Sequence, residues 1–215
     1  VLTSGHVNEY LSMLASQGGQ PMAQVLEAHP GVATVQLPDR AVRPEVVREL
    51  VKACRTGSSL KTLYASMSSP IPHERVISPH TLIYTGFRWH VRAWCHKRQG
   101  YRDFLLSRID RTPKPCDDSA PSPDNDSLWH EQITLTLIPN LLLNDAQKEL
   151  VERDFAMTER CLQLSVRKAL AHYTLQRYQA AITEAEALRV SEHPLQLLPA
   201  DRSKLEPFLF GGGGS

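Results

Sequence analysis

The sequence lacks the features that mark membrane, secreted and disulfide-rich proteins. It has no apolar run near the ~20 residues that a membrane-spanning helix needs, and nothing in it resembles a cleavable signal peptide. Its four cysteines, Cys54, Cys95, Cys116 and Cys161, form no CxxC pair. Such usage is typical of reduced thiols. We therefore expect a cytoplasmic protein with no membrane partner.

The sequence also has almost no net charge and no recognisable catalytic motif. The chain has 24 Lys and Arg against 23 Asp and Glu, a net charge of +1, whereas freestanding duplex-DNA binders are strongly basic. It has no Walker loop or dinucleotide fingerprint and no nucleophile elbow. His80, His90 and His96 with Cys95 are potential zinc ligands, but their spacing matches no closed Cys/His pattern. We expect no enzyme activity, no cofactor and no metal.

What the sequence does contain is a helix followed by strands. Pro44 suits the first position of a helix predicted over 44–55, and Gly57 suits its end. Strands are predicted at 60–67, 75–84, 87–95 and 101–109. Turns containing glycine at 85–86 and 99–100 separate the last three, which indicates an antiparallel meander.

A second domain is predicted after a linker at 111–126, where Pro, Ser and Asp dominate and little surface can be buried. A strand at 133–137 alternates apolar and polar residues. Asn144 and Gln147 have the spacing of a capping box. A strand at 161–166 and helices at 167–178 and 180–188 complete a small α+β domain.

The two ends of the chain show no chemistry. Residues 1–42 are predicted to hold a short helix at 8–14 and a strand at 32–37. Residues 199–215 are interpreted as a tail that ends in an engineered GGGGS linker. Because the first residue is Val1 rather than Met, we expect a fragment of a longer protein.

One strand carries a row of cationic side chains. Alternation along 88–95 places Arg88, His90 and Arg92 on one face and Trp89, Val91, Ala93 and Cys95 on the other, the predicted core face. Residues 85–111 contain seven Lys or Arg against two Asp. If the next strand pairs across 99–100, Arg102 and Arg108 can lie near the same row.

Clustered guanidinium groups favour an anionic ligand. Arginine binds phosphate through two parallel hydrogen bonds, and nearby aromatic rings can stack on a base. A nucleotide or a short single-stranded nucleic acid is therefore the expected ligand. The alternative is that these arginines are solvated or paired with carboxylates of the second domain.

Several spaced motifs resemble the WYL domain over residues 43–110. They are ISPHTL at 77–82, GFRWHVRAW at 86–94 and YRDFLLSRI at 101–109. The segments LNDAQK at 143–148, DFAM at 154–157 and VRKAL at 166–170 are similar to the C-terminal extension of the phage-defence branch, whose repressors control BREX and CBASS islands. One departure is that the Trp-Tyr-Leu after which the family is named is Trp89-His90-Val91 here.

The resemblance implies a fold, partners and a pocket. The fold is α+β: an Sm-like or SH3-like β-barrel (the WYL domain, 43–110) followed by a small α+β C-terminal extension domain at 127–198. The chain would form a homodimer, and 1–42 would connect it to a missing N-terminal winged helix-turn-helix that binds duplex operator DNA. The implied ligand-binding residues are Tyr64, Ser66, His80, Arg88, His90, Arg92, Arg102, Arg108 and Arg167.

The sequence therefore favours the ligand-sensing and dimerisation region of a WYL-type repressor of an anti-phage defence system. A stand-alone Sm-like nucleic-acid-binding module without a transcriptional role is the second hypothesis. A third, an enzyme such as a nucleotide hydrolase, needs a carboxylate cluster or metal site among the arginines, and the sequence shows neither.

Overall fold

The computed structural model of the chain describes residues 42–85 and 88–209. The helix expected at 8–14, the strand expected at 32–37, most of the connector at 1–42 and the GGGGS segment lie outside these residues. None of the helices in the described ranges has the length and apolar character that crossing a bilayer requires.

The first helix forms where the sequence predicts it. Helix α1 (Pro44–Thr56) has proline in its first turn and ends at Gly57, whose φ of 67° is left-handed. Glycine adopts this conformation without a steric penalty. Val46, Leu50 and Ala53 are buried, so the predicted apolar face of the helix packs on the first sheet.

The first sheet is an antiparallel meander, as predicted, with one added edge strand. It contains β1 (Ser59–Tyr64), β2 (His73–Tyr84), β3 (Trp89–Cys95), β4 (Gly100–Leu105) and β5 (Lys114–Cys116), in the order β4-β3-β2-β1-β5. Strand β5 lies within the predicted linker and pairs with β1. The linker therefore contributes a short edge strand to the sheet, although most of its residues are exposed, as expected.

The first sheet is strongly curved. A single 3-10 turn, Leu106–Arg108, separates β4 from Ile109, which bridges to Tyr64 at the end of β1. The backbone N–H of Asp110 also donates to the carbonyl of Leu63. Since three residues carry the chain from one edge strand to β1, the two sides of the sheet must approach each other. No ladder joins β4 to β5 within the described residues, so the predicted closed barrel is not confirmed.

The second region is a four-stranded sheet with helices, in the order β7-β6-β9-β8. Its elements are α2 (Ser127–His130), β6 (Gln132–Pro139), α3 (Asp145–Asp154), β7 (Leu162–Arg167), α4 (Ala171–Arg177), β8 (Ala180–Ala181), α5 (Glu184–Ala187), β9 (Leu195–Leu197) and α6 (Arg202–Leu205). Asn144 and Gln147 form the predicted capping box of α3. The fold class, α+β, is as expected.

The C-terminal part differs from the prediction. The single helix expected at 180–188 is instead a two-residue strand, β8, followed by the four-residue helix α5. Strand β9, which the sequence did not predict, pairs with both β6 and β8 and is fully buried. Leu205, placed in the predicted tail, is 1% exposed in the second core.

Candidate functional site

Both faces of β3 are buried, which the sequence did not predict. Val91, Ala93 and Cys95 belong to the first core, as expected, but Trp89 on the same face is 46% exposed. On the opposite face, His90 and Arg92 are 9% and 4% exposed. Residues from the linker and from the second region cover that face.

Arg92 is paired with two carboxylates. Its Nε and Nη2 donate to Oδ2 and Oδ1 of Asp126 at 2.7 and 2.9 Å. Its Nη1 donates to Oδ1 of Asp103 at 3.1 Å. A guanidinium bound at two points by one carboxylate and at a third by another has its charge compensated within the protein.

His80 lies in the same cluster. Its Nε2 is 3.1 Å from Oδ2 of Asp126, and its ring makes edge contacts with Tyr101 and Trp129, each with centroids 5.7 Å apart. We call His80, Arg92, Asp103 and Asp126 the buried ion cluster. Although burial acts to raise it, the hydrogen bonds from His80 and Arg92 hold the pKa of Asp126 at about 2.

Tyr173 of helix α4 connects this cluster to the second region. Its hydroxyl donates to Oδ2 of Asp103 at 3.0 Å, and its ring lies 5.0 Å from the ring of His90. Burial raises the pKa of Tyr173, and the charge of Asp103 adds to that effect. Tyr173 therefore stays protonated and remains a hydrogen-bond donor at neutral pH.

A second group of cations lies at the end of the same face. Arg88 is exposed and stands two residues before His90, while Arg108 follows Leu105, the cross-strand partner of His90. We call Arg88, His90 and Arg108 the cationic rim. Burial lowers the pKa of His90; Asp103 opposes that shift, and Arg88 and Arg108 reinforce it. The buried Nδ1 of His90 has no hydrogen-bond partner among the described residues.

Arg102 lies apart from both groups. The β3–β4 turn covers 96–99 rather than 99–100, so Arg92 is opposite Asp103 and Ala93 is opposite Arg102. Cross-strand partners share a face, so Arg102 is on the face opposite Arg92. The expected approach of Arg102 to Arg92 is wrong, as is the placement of Arg108 on a strand, because β4 ends at Leu105.

The remaining predicted residues have structural contacts. The hydroxyl of Tyr64 accepts from the backbone N–H of Leu105 at 3.2 Å. Ser66 accepts from the N–H of Ser69 in a loop beside Arg108, whose carbonyl accepts from Ala65. Arg167 stacks over the ring of Trp129 at 4.7 Å. Tyr64, through Leu105, and Ser66, through the loop bonded to Arg108, both lie beside residues of the cationic rim.

Asp103, Asp126, Trp129 and Tyr173 are the residues that sequence reasoning missed. Asp103 lies opposite Arg92 because of the β3–β4 register. A four-residue turn, in place of the two-residue turn assumed from the sequence, would have predicted that register. No signal in a single sequence joins Asp126 or Tyr173 to Arg92, since they are 34 residues and more away. The described residues contain no group of three side chains placed to hold a metal ion.

Comparisons with known proteins identify the family. Residues 45–113 match the family model of the WYL domain, and residues 132–205 match that of the "BrxR transcriptional regulator, C-terminal dimerization domain". The "DNA-binding transcriptional repressor CapW" of Pseudomonas aeruginosa is 32% identical over 212 residues, covering 97% of this chain and 70% of that protein. The chain belongs to the WYL-type phage-defence regulators of the BrxR and CapW kind.

Other members of the family are longer than this WYL-type chain. The CapW repressor of Stenotrophomonas maltophilia is 35% identical over 191 residues, covering 89% of the chain and 62% of that protein. That of Escherichia coli (strain KTE188) is 38% identical over 178 residues, covering 83% and 58%. A solved structure, proteasome accessory factor B/C of Arthrobacter aurescens, matches with a TM-score of 0.33 and 18% identity, over 92% of this chain and 34% of its own.

Proposed function

We propose that this chain is the ligand-sensing and dimerisation region of a WYL-type transcriptional repressor that controls an anti-phage defence system. Its ligand is a nucleotide or a single-stranded nucleic acid. Duplex operator DNA is bound by another part of the repressor, an N-terminal winged helix-turn-helix. The matches to the two family models and to the CapW repressors support this proposal.

The observation that carries the ligand-binding part of the proposal is the unpartnered Nδ1 of His90. The residue is 9% exposed, and its Nδ1 atom is buried without a hydrogen bond among the described residues. Burying a polar group without a partner costs about 1–3 kcal/mol, so such an atom in a native protein needs an explanation. A ligand oxygen or hydroxyl bound beside it satisfies the atom and explains its retention.

The charges around His90 define the chemical class of that ligand. Neither Arg88 nor Arg108 forms an ion pair with any carboxylate in the described part of the chain, in contrast to Arg92. Two guanidinium groups next to a neutral imidazole are complementary to a phosphate group. The cationic rim, rather than the whole predicted pocket, is therefore the proposed ligand site, with Tyr64 and Ser66 at its side.

The barrel and the homodimer belong to the same proposal. The bridge from Tyr64 to Ile109 brings the chain after β4 back to β1, which supports an Sm-like or SH3-like arrangement of the first sheet. For the dimer, Leu141 and Leu142 are 56% and 59% exposed within the segment that matches the dimerization model. Exposed leucines grouped on a surface are typical of protein interfaces.

Fluorescence anisotropy with a short fluorescein-labelled oligothymidylate, and with ADP as competitor, tests the ligand site. We expect the double variant Arg88→Ala/Arg108→Ala to lose at least about tenfold in affinity and to reduce the salt dependence by about two counterions. The matched control is Lys97→Ala/Arg98→Ala, which removes two exposed cations from the β3–β4 turn. Equal affinity of the two double variants would show that the ligand binds elsewhere.

A further inference from the structure

Asp126 holds Arg92 in the way that an anionic ligand would. Its two oxygens meet Nε and Nη2 at 2.7 and 2.9 Å, which is the two-point geometry that a guanidinium offers to phosphate. His80 adds a third contact to the same carboxylate at 3.1 Å. The anion that the arginine-rich strand was expected to attract from solution is thus supplied by the protein itself.

The segment that delivers Asp126 has few apolar anchors. Residues 117–125 are all exposed, whereas Asp126 is 2% exposed. The contacts of this segment are polar, such as the hydroxyl of Tyr101, which donates to the carbonyl of Ser122 at 2.6 Å. Water can replace such contacts at low net cost. The side chain of Asp126 is therefore held to the first sheet by its bonds to Arg92 and His80, while its backbone carbonyl accepts from the N–H groups of Trp129 and His130 in α2.

The pairing in the buried ion cluster allows Asp126 to leave. One guanidinium, that of Arg92, faces two carboxylates, Asp103 and Asp126. If Asp126 departs, Asp103 still pairs with Arg92. Removing the last partner of a buried charge is strongly destabilising, but here a partner remains and a ligand anion would restore the second.

The carboxylate of Asp126 also has alternative hydrogen-bond donors nearby, at the start of helix α2. It occupies the N-cap position of α2, yet its side chain makes no capping hydrogen bond there. Aspartate is among the preferred N-cap residues. A carboxylate released from Arg92 can accept from the first amides of α2, which lowers the cost of its release.

We propose that Asp126 is an internal stand-in for the anionic ligand, and that a ligand phosphate advancing along β3 from Arg88 and His90 displaces it from Arg92 and His80. This inference rests on the proposed ligand site and adds its regulation. Displacement removes the hydrogen bonds between Asp126 and the first sheet, and leaves the bond from Tyr101 to the carbonyl of Ser122. Ligand occupancy is thereby coupled to the attachment of the C-terminal region.

The test compares Asp126→Asn with Asp124→Asn, which removes the same charge from an exposed position two residues away. Removing the internal competitor raises the fraction of protein competent to bind, and apparent affinity rises in proportion. We expect Asp126→Asn to bind the labelled oligothymidylate at least about tenfold more tightly than the parent, and Asp124→Asn to match the parent. Asp126→Glu, which keeps the charge, should show no gain.

A measurement on the parent protein covers the case in which Asp126→Asn fails to fold. Hydrogen exchange followed by mass spectrometry should show faster exchange of residues 117–130 when the oligothymidylate is bound. Unchanged or slower exchange there would overturn the inference, as would equal affinities of Asp126→Asn and Asp124→Asn. If the parent binds through Arg88 and Arg108 but the Asp126 variant and the exchange measurement give the contrary results, the ligand site stands and only the displacement of Asp126 is refuted. If neither the parent nor any variant binds the oligothymidylate, both proposals are refuted.

Discussion

At the scale of single residues, the sequence predicted which face of β3 carries Arg92 but not the residues that pair with it. Its direction on β3 followed from simple alternation, but the carboxylates that meet it come from β4 and from the linker. The sequence predicted that Arg92 binds an anion. It did not predict that the anion is this pair of carboxylates, because that depends on strand register and on a contact between residues 34 apart.

Arg92→Ala should therefore destabilise the fold rather than leave it intact. Asp103 and Asp126 would remain buried without their main counter-charge, at a cost of about 3–5 kcal/mol. Urea unfolding followed by circular dichroism measures the change, with Arg98→Ala, an exposed cation on the next turn, as a control expected within about 0.5 kcal/mol. A midpoint equal to that of Arg98→Ala would contradict the role assigned to the buried ion cluster.

Acidification should weaken the protein through Asp126. The pKa of this residue is lowered from 3.8 to about 2 in the folded state. A lowered folded pKa gives stability that is present above the unfolded pKa and is lost as the pH falls through the folded value. For Asp126 the contribution is about 2 kcal/mol.

The loss should fall between about pH 4 and pH 2, and Asp126→Asn should show a shallower decline across that window. Unfolding free energies from urea titrations at several pH values measure it. Asp124→Asn should retain the slope of the parent. Parallel curves for the parent and Asp126→Asn would mean that other carboxylates govern the acid response.

At the scale of elements, the sequence predicted those helix ends that are determined by residues close to them in the chain. Helix α1 and the start of α3 follow from Pro44, Gly57 and the pair Asn144 and Gln147, whose signals act within a few residues. β9 was missed because its three residues pair with strands that are more than ten residues distant in sequence. A segment this short carries no periodicity that would distinguish it from a loop.

The capping box of α3 offers a test at this scale. The side chain of Asn144 accepts from the backbone N–H of Gln147 at 2.9 Å, and Gln147 accepts from the N–H of Asn144 at 3.0 Å. Asn144→Ala should cost about 1 kcal/mol of stability. Glu149→Ala, an exposed change within the same helix, serves as the control in thermal unfolding, and equal melting temperatures for the two variants would refute a stabilising cap.

At the scale of the whole molecule, the exposed leucines bear on assembly. Leu141→Glu/Leu142→Glu places charges where the proposed homodimer buries apolar surface, and the dimer dissociation constant should rise more than about tenfold. Sedimentation equilibrium measures it. Met67→Glu changes a residue that is 82% exposed in the first region and should leave the dimer as it is. A parent that sediments as a monomer would exclude the homodimer itself.

The turn that carries these leucines is assembled by Asn140, which is fully buried. Its side-chain amide donates to the carbonyls of Ala187 and His193, at sequence separations of 47 and 53 residues, and its oxygen accepts from the N–H of Leu142. Contacts between residues so far apart close long loops, and the entropy of that closure must be offset by other contacts of the domain. We therefore expect the turn to present Leu141 and Leu142 in this arrangement only when residues 187–193 are folded against it, so that an incomplete chain does not expose the proposed dimer surface.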